Sequence, residues 1–282
     1  MKIKPYFLST ISLLVSLSIY CQPKLMDPKG NLFIIGGGDR SSELIKSLIS
    51  TAKLYQKDYI VILPMSSAEP DSSYFYIKAD LQPAAPNVIA NLNFTKENVN
   101  DIKWLDSLKH AKLIFITGGD QSRFMNVVLH TPVVEAIHSA YNRGATIAGT
   151  SAGAAVMSKQ MLTGKQLSAD TSNATFKIIH ANNVELTEGL GLMESVIIDQ
   201  HFIVRSRYNR LISVLAKFPS YTCIGIDEAT AIIVQGKKIT VAGESQVIVM
   251  SDPEKLSIKK GLIKAKDLRF SIYTSGDVFR TR

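Results

Sequence analysis

A chain of 282 residues, 46% hydrophobic and 20% charged, is long enough for one large α/β domain or two small ones and holds enough apolar residues for a sizeable core. That balance, with no internal repeat and no low-complexity linker, excludes a disordered or repeat-built chain. The net charge of +8 rests on scattered Lys, dense near the C-terminus (Lys255, Lys259, Lys260, Lys264 and Lys266), and reads as a solvated basic face, not a nucleic-acid surface.

The first twenty residues read as an export signal. Lys2 and Lys4 form a short positive region, and the run from Tyr6 to Tyr20 is uncharged and mostly apolar. It is too short to span a membrane and has the length of a signal-peptide core. Residues 1–20 are therefore expected to be removed, leaving 21–282 as a single α/β domain in the periplasm, at the cell surface or outside the cell. Cys21 closes the run and is a candidate lipid-anchor site, although the bulky Tyr20 before it argues against lipidation. Cys223 would then have no disulfide partner, and its apolar setting makes it a small core residue.

Several β-branched runs end in Gly or Pro and lead into helix-like segments. Leu32 to Ile35 runs into Gly36-Gly37-Gly38, with a helix from about Ser42. Tyr59 to Leu63 stops at Pro64, Lys112 to Ile116 runs into Thr117-Gly118-Gly119-Asp120, and Ala145 to Ala148 runs into Gly149. Continuous apolar runs alternating with helices predict parallel strands buried on both faces. The expected fold is a doubly wound, mostly parallel sheet with helices on both faces and ligands at the C-terminal ends of its strands. In the last third, Ala231–Val234 and Lys238–Val241 flank Gln235-Gly236-Lys237 as a hairpin, and Gln246–Met250 is a further short strand. These predict a small antiparallel appendage on the same sheet.

Gly149-Thr150-Ser151-Ala152-Gly153 has the G-x-S-x-G pattern of a nucleophile elbow between a buried strand and a helix-prone stretch. Glycines flank the serine because side chains there would collide with the neighbouring strand or helix. The N–H of Ala152 and the helix N-terminus point to oxyanion stabilisation. A second glycine loop, Thr117 to Gln121, is a source of another oxyanion donor at Gly119, and Gln121 is placed to contact substrate. Gly36-Gly37-Gly38-Asp39 lacks the spacing of a nucleotide loop. Of the five His, His201 follows the apolar run Ile197-Ile198-Asp199-Gln200 and sits where a parallel sheet presents its rim, which makes it the expected general base. His110, His130 and His138 read as surface residues, and His180 has no comparable setting. The residue types leave the orienting acid open between Asp170, Glu185 and Glu188, in Ser–acid–His order, and Glu228, just past the strand Cys223–Ile226. Arg205, Arg207 and Arg210 follow His201 on an amphipathic segment; by residue type this reads first as a solvated helix face, with recognition of carboxylates by guanidinium forks the alternative.

Taken together, Phe115-Ile116-Thr117-Gly118-Gly119-Asp120-Gln121, Gly149-Thr150-Ser151-Ala152-Gly153-Ala154, Gly189-Leu190-Gly191-Leu192, Asp199-Gln200-His201-Phe202, Arg205-x-Arg207-x-x-Arg210-Leu211 and Gly225-Ile226-Asp227-Glu228 resemble the cyanophycinase family of serine peptidases, related in fold to class I glutamine amidotransferases. The likeness spans Leu32 to about Met250. It implies a triad of Ser151, His201 and Glu228, with Asp170 the other acid considered for the family. It also implies a substrate pocket of Gln121, Asp199, Gln200, Arg205, Arg207 and Arg210. The amidotransferases carry Cys at the elbow, and the Ser here argues against ammonia transfer.

The expected activity is hydrolysis of aspartyl-linked peptides, foremost cyanophycin, through an acyl-enzyme. A dipeptidase of the same family and a non-catalytic acidic-peptide binder are the alternatives. No metal or organic cofactor is expected, and a homodimer is implied by the resemblance alone. The stretch Gly164 to Glu188 departs most from the family pattern.

Overall fold

The computed structural model describes residues 28–167 and 179–281. The signal segment, Cys21 and Asp170 lie outside the described residues. In chain order the first half runs β1 (Asn31–Ile35), α1 (Ser42–Ala52), β2 (Tyr59–Leu63), α2 (Pro70–Leu81), β3 (Val88–Asn91), α3 (Ile102–His110), β4 (Leu113–Ile116), α4 (Gln121–Val128), α5 (Pro132–Asn142), β5 (Thr146–Thr150) and α6 (Ala152–Ala155). The second half runs β6 (Gln160–Gln166), β7 (Val184–Glu188), β8 (Val196–Gln200), α7 (Tyr208–Lys217), β9 (Thr222–Ile226), β10 (Thr230–Gln235), β11 (Lys238–Gly243), β12 (Val247–Glu254), β13 (Ser257–Lys259), β14 (Leu262–Lys264), β15 (Asp267–Tyr273) and β16 (Val278–Arg280).

The expected parallel strands form where the apolar runs predict them. β1, β5, β4, β2 and β3 lie side by side and parallel, and β10, β11 and β16 extend the β1 edge antiparallel, giving an eight-stranded sheet. The central strands β1, β4 and β5 are almost wholly buried, as continuous apolar runs require. β3 went unforeseen in the sequence because it is a short edge strand whose first residue, Val88, is exposed. Helices begin at polar caps: Ser41 accepts from the Leu44 N–H, Asp101 from Lys103 and Trp104, and Asp120 from Ser122 and Arg123.

Both faces of this sheet are covered. On one face Leu44, Ile45 and Leu48 of α1 and Ile77 and Leu81 of α2 pack against Phe33, Ile35, Ile60, Ile62 and Phe115. On the other, α3, α4 and α5 pack against Leu32, Ile34, Val61, Ile114 and Ile147. That second face also receives a second sheet, which corrects the expected topology. β8 and β9 pair in parallel with each other, β12 joins β9 antiparallel, and β15 closes the order β15-β12-β9-β8. The segment Gln246–Met250 thus belongs to this four-stranded sheet and not to an appendage on the first. Its Val247 and Val249 face the first sheet, while Ile248 and Met250 face α7 through a separate core with Cys223, Leu211 and Val214. Strands buried on both faces read the same whichever sheet they join. Cys223 is a fully buried free thiol, and burial raises its pKa far above the ordinary thiol range.

The architecture brings two strand ends together. Ile35 pairs with Thr150, so Ser151 emerges at the C-terminal rim of the first sheet. Gln200 pairs with Ile226, so His201 and Asp227 leave the second sheet at the same level. The turn from β9 to β10 crosses from one sheet to the other and carries Glu228 between them.

Candidate active site

Ser151 holds φ 52° and ψ −107°, a left-handed backbone sparsely populated by non-glycine residues and typically costing about 1–3 kcal/mol. The glycines beside it explain how the chain sustains that turn. A Cβ on Gly149 would lie 2.2 Å from the Gly153 carbonyl oxygen, and one on Gly153 would lie 2.3 Å from that of Ile116. The Ser151 N–H donates to the Ile35 carbonyl at 3.0 Å, tying the turn to β1. The helix that follows is shorter than expected: α6 spans only Ala152–Ala155, so its dipole is weak, and the local contribution is the N–H of Ala152 itself.

Ser151 Oγ lies 2.8 Å from His201 Nε2, and His201 Nδ1 lies 2.5 Å from Glu228 Oε1. A carboxylate only accepts, so Nδ1 carries the proton, and Nε2 is left to accept from the serine hydroxyl. His201 is 9% exposed. Burial lowers its pKa below the ordinary imidazole value, the hydrogen bond to Glu228 opposes this, and the positive charges of Arg205 and Arg207 add to the depression. Burial thus favours the neutral ring, the form that can accept from the serine hydroxyl. Among the acids left open by the sequence, Glu185 bonds Thr163 Oγ1 at 2.6 Å and Glu188 lies 4.0 Å from exposed His130, both away from the imidazole. His138 is half-buried, its Nε2 bonding the Leu190 carbonyl at 2.6 Å, so it is not the plain surface residue expected.

The Gly36-Gly37-Gly38 loop, a plain strand end in the sequence reading, forms one wall of this site. The His201 N–H donates to the Gly36 carbonyl at 2.8 Å. A Cβ on Gly37 would lie 2.2 Å from His201 Cε1, and one on Gly38 would lie 2.7 Å from Glu228 Cβ. The available signal was three small residues ending a strand adjacent to the elbow strand. Gly225 does similar work behind the base, since its Cβ would strike the Phe202 ring at 2.3 Å. On the opposite side Gly118 faces Ser151: a Cβ there would sit 3.6 Å from that of the serine. The neighbouring Gly119, at φ 133°, packs against the Ser66 carbonyl.

Most of the other residues expected to line the substrate pocket are buried around Asp199. Asp199 is fully buried and takes Arg210 through both carboxylate oxygens, Nε to Oδ2 at 2.8 Å and a close Nη2 to Oδ1 contact. Arg207 Nη1 donates to Asp199 Oδ1 at 3.2 Å and to the Gln200 carbonyl and side-chain oxygens at 2.6 Å each. Burial pushes the Arg207 pKa down to about 10, with Asp199 opposing. Arg207 caps α7 and Arg210 lies inside it, and they meet because both reach Asp199. Arg205 is exposed and close enough to His201 for its charge to act there. Gln121 is buried and its Nε2 donates to the Leu162 carbonyl at 2.8 Å, anchoring β6 over the site.

A model of peptidase family S51 matches residues 32–242. The chain belongs to peptidase family S51. It is a serine-type peptidase. The chain is similar to a cyanophycinase of Trichormus variabilis, 34% identical over 263 residues, covering 89% of this chain and 85% of the relative. A cyanophycinase of Geminocystis herdmanii is 31% identical over 234 residues, covering 79% of this chain and 82% of the relative. Among solved structures, a peptidase from an acI-B1 Actinobacterium shares the fold with a TM-score of 0.66 and 22% identity, covering 90% of this chain and 98% of that one.

Proposed function

We propose that this S51 peptidase hydrolyses cyanophycin, with Ser151 as nucleophile, His201 as general base and Glu228 as the acid that orients it. The unbroken relay from Oγ through the imidazole to Oε1, at 2.8 and 2.5 Å, carries the reading. Ser151 Oγ attacks the peptide carbonyl carbon while its proton passes to His201 Nε2. The C–N bond breaks, and the leaving amine takes that proton. Water then attacks the ester, again deprotonated by His201, and releases the acid with Ser151 regenerated. The N–H groups of Ala152 and Gly119 serve the oxyanion, each worth about 2.7–4 kcal/mol at the transition state.

The substrate assignment rests on the curated cyanophycinase relatives and on charge. Asp199 offsets one of the two buried arginines it binds and leaves one positive charge in that cluster. With exposed Arg205 nearby, that charge suits the carboxylates of a polymer made of aspartate with arginine on its side chains. The polar walls are Gln121 and Gln200. We further propose export, supported by Lys2, Lys4 and the apolar run from Tyr6 to Tyr20.

Purified protein incubated with cyanophycin is expected to release β-Asp-Arg dipeptide, read by mass spectrometry, and Ser151→Ala to release none. A wild type that leaves the polymer intact while cleaving free isoaspartyl dipeptides would replace this reading with the dipeptidase one. Recovery of the uncleaved chain from the cytoplasm of the producing cell would refute export.

A further inference from the structure

His201 leaves β8 with φ 48°, a left-handed backbone that a non-glycine residue adopts only where its surroundings impose it. One carboxylate holds the chain just beyond it. Asp227 Oδ1 accepts from the Ile203 N–H at 2.9 Å and the Val204 N–H at 3.0 Å, and Oδ2 accepts from Ser245 Oγ at 2.7 Å. Asp227 is 7% exposed, and its own N–H donates to the Gln246 carbonyl at 3.2 Å. The clamp is therefore fixed to the loop before β12 and does not drift with the turn it grips. Asp227 and Glu228 are consecutive, so one turn holds His201 twice: Glu228 by the ring, Asp227 by the backbone that follows.

We propose that Asp227 is a positioning residue for the His201 imidazole, acting through the Ile203 and Val204 amides and not through its charge. The role rests on the reading of His201 as general base. The tolerance is small because the ring is packed against Gly37, where a single added carbon would lie 2.2 Å from Cε1. If the turn relaxes toward ordinary backbone angles, Nε2 moves off the serine hydroxyl. A misplacement of about 1 Å costs a catalytic group on the order of 10²-fold.

Asn keeps an oxygen acceptor and the shape of Asp while losing the charge, which separates the two roles. Asp227→Ala is expected to lower kcat about 10²-fold on the polymer, with KM within roughly threefold of wild type. Asp227→Asn is expected to keep about a third or more of wild-type kcat, on the same scale of argument. A second readout needs no substrate: the downfield proton NMR resonance of His201 Nδ1–H against Glu228, assigned by its loss in Glu228→Gln. It should persist in Asp227→Asn and broaden or vanish in Asp227→Ala. Ser245→Ala removes only the Oδ2 donor and should shift that resonance with a loss in kcat of about threefold, keeping the proposal testable if Asp227→Ala does not fold.

The proposal is overturned if Asp227→Asn falls as far as Asp227→Ala, or if folded Asp227→Ala keeps both kcat and the resonance. With Asp227→Ala unfolded, an unshifted resonance in Ser245→Ala overturns it. A wild type that shows the resonance but does not cut the polymer counts against the proposed substrate alone, and the resonance then decides the role of Asp227.

Discussion

The two sheets supply the site by different physics. The eight-stranded sheet presents Ser151 from an apolar, fully buried strand, and the position of the hydroxyl follows from steric contact: backbone against backbone at Gly149 and Gly153, with no room for a Cβ. The four-stranded sheet presents His201 from a strand that ends in polar residues; its imidazole bonds Glu228, its backbone N–H donates to the Gly36 carbonyl, and the charged cluster of Asp199, Arg207 and Arg210 lies nearby. The proposed nucleophile is thus held by close backbone packing and a main-chain hydrogen bond to Ile35, neither of which depends on a titrating group. The base must keep its proton affinity tunable, so it sits among groups that titrate or carry charge.

That contrast can be broken at several points. The largest effect is expected from Ser151→Ala or His201→Ala, each lowering kcat by about 10⁴-fold or more. The double substitution should be no worse than either single one, because the two act as a unit across the sheets; additive losses in steady-state kinetics would contradict this. Asp199→Ala should cost about 3–5 kcal/mol of stability in denaturant titration, since it leaves Arg207 and Arg210 buried without a counter-charge. Replacing all three by apolar residues of similar size should recover most of that loss. Ile147→Ala in the first sheet should cost about 2–5 kcal/mol with no comparable charge rescue, because the deficit there is a cavity.

Glu228→Gln should lower kcat on the order of 10²-fold in a folded protein. That is less than for a fully buried triad acid, because its side chain is 36% exposed and water can partly replace it. The smallest effect concerns pH. His201 must be neutral to accept the serine proton, and burial holds its pKa below the ordinary 6.5. The acid limb of kcat/KM should therefore be centred below 6.5. A limb centred above that value would show that the carboxylate of Glu228 outweighs desolvation.

Much of this was legible in the sequence because sterics leave marks on composition. The elbow needs its glycines, and the parallel strands need unbroken β-branched runs, so Ser151 and the first sheet could be read directly. His201 and Glu228 stood out by position after apolar runs. What the residues could not show was pairing: Ile197–Ile198 and Cys223–Ile226 carry the same pattern whether they join the first sheet or make a second. Nor could they show that Arg207 and Arg210 spend their guanidinium forks on Asp199, since an arginine that binds an internal carboxylate looks like one awaiting a ligand. The sequence shows Gly37 and Gly38 only as a loop without nucleotide spacing, because their contacts, to His201 and Glu228, lie far along the chain.

The account depends on a serine made nucleophilic by an imidazole delivered from the other sheet. The most direct measurement is the rate at which a fluorophosphonate labels the purified protein, with the modified residue located by peptide mass spectrometry. Labelling confined to Ser151 in the wild type, slowed by at least about 10³-fold in His201→Ala, is the predicted result. Labelling of Ser151 at an undiminished rate without His201, or modification of a different residue, would contradict it.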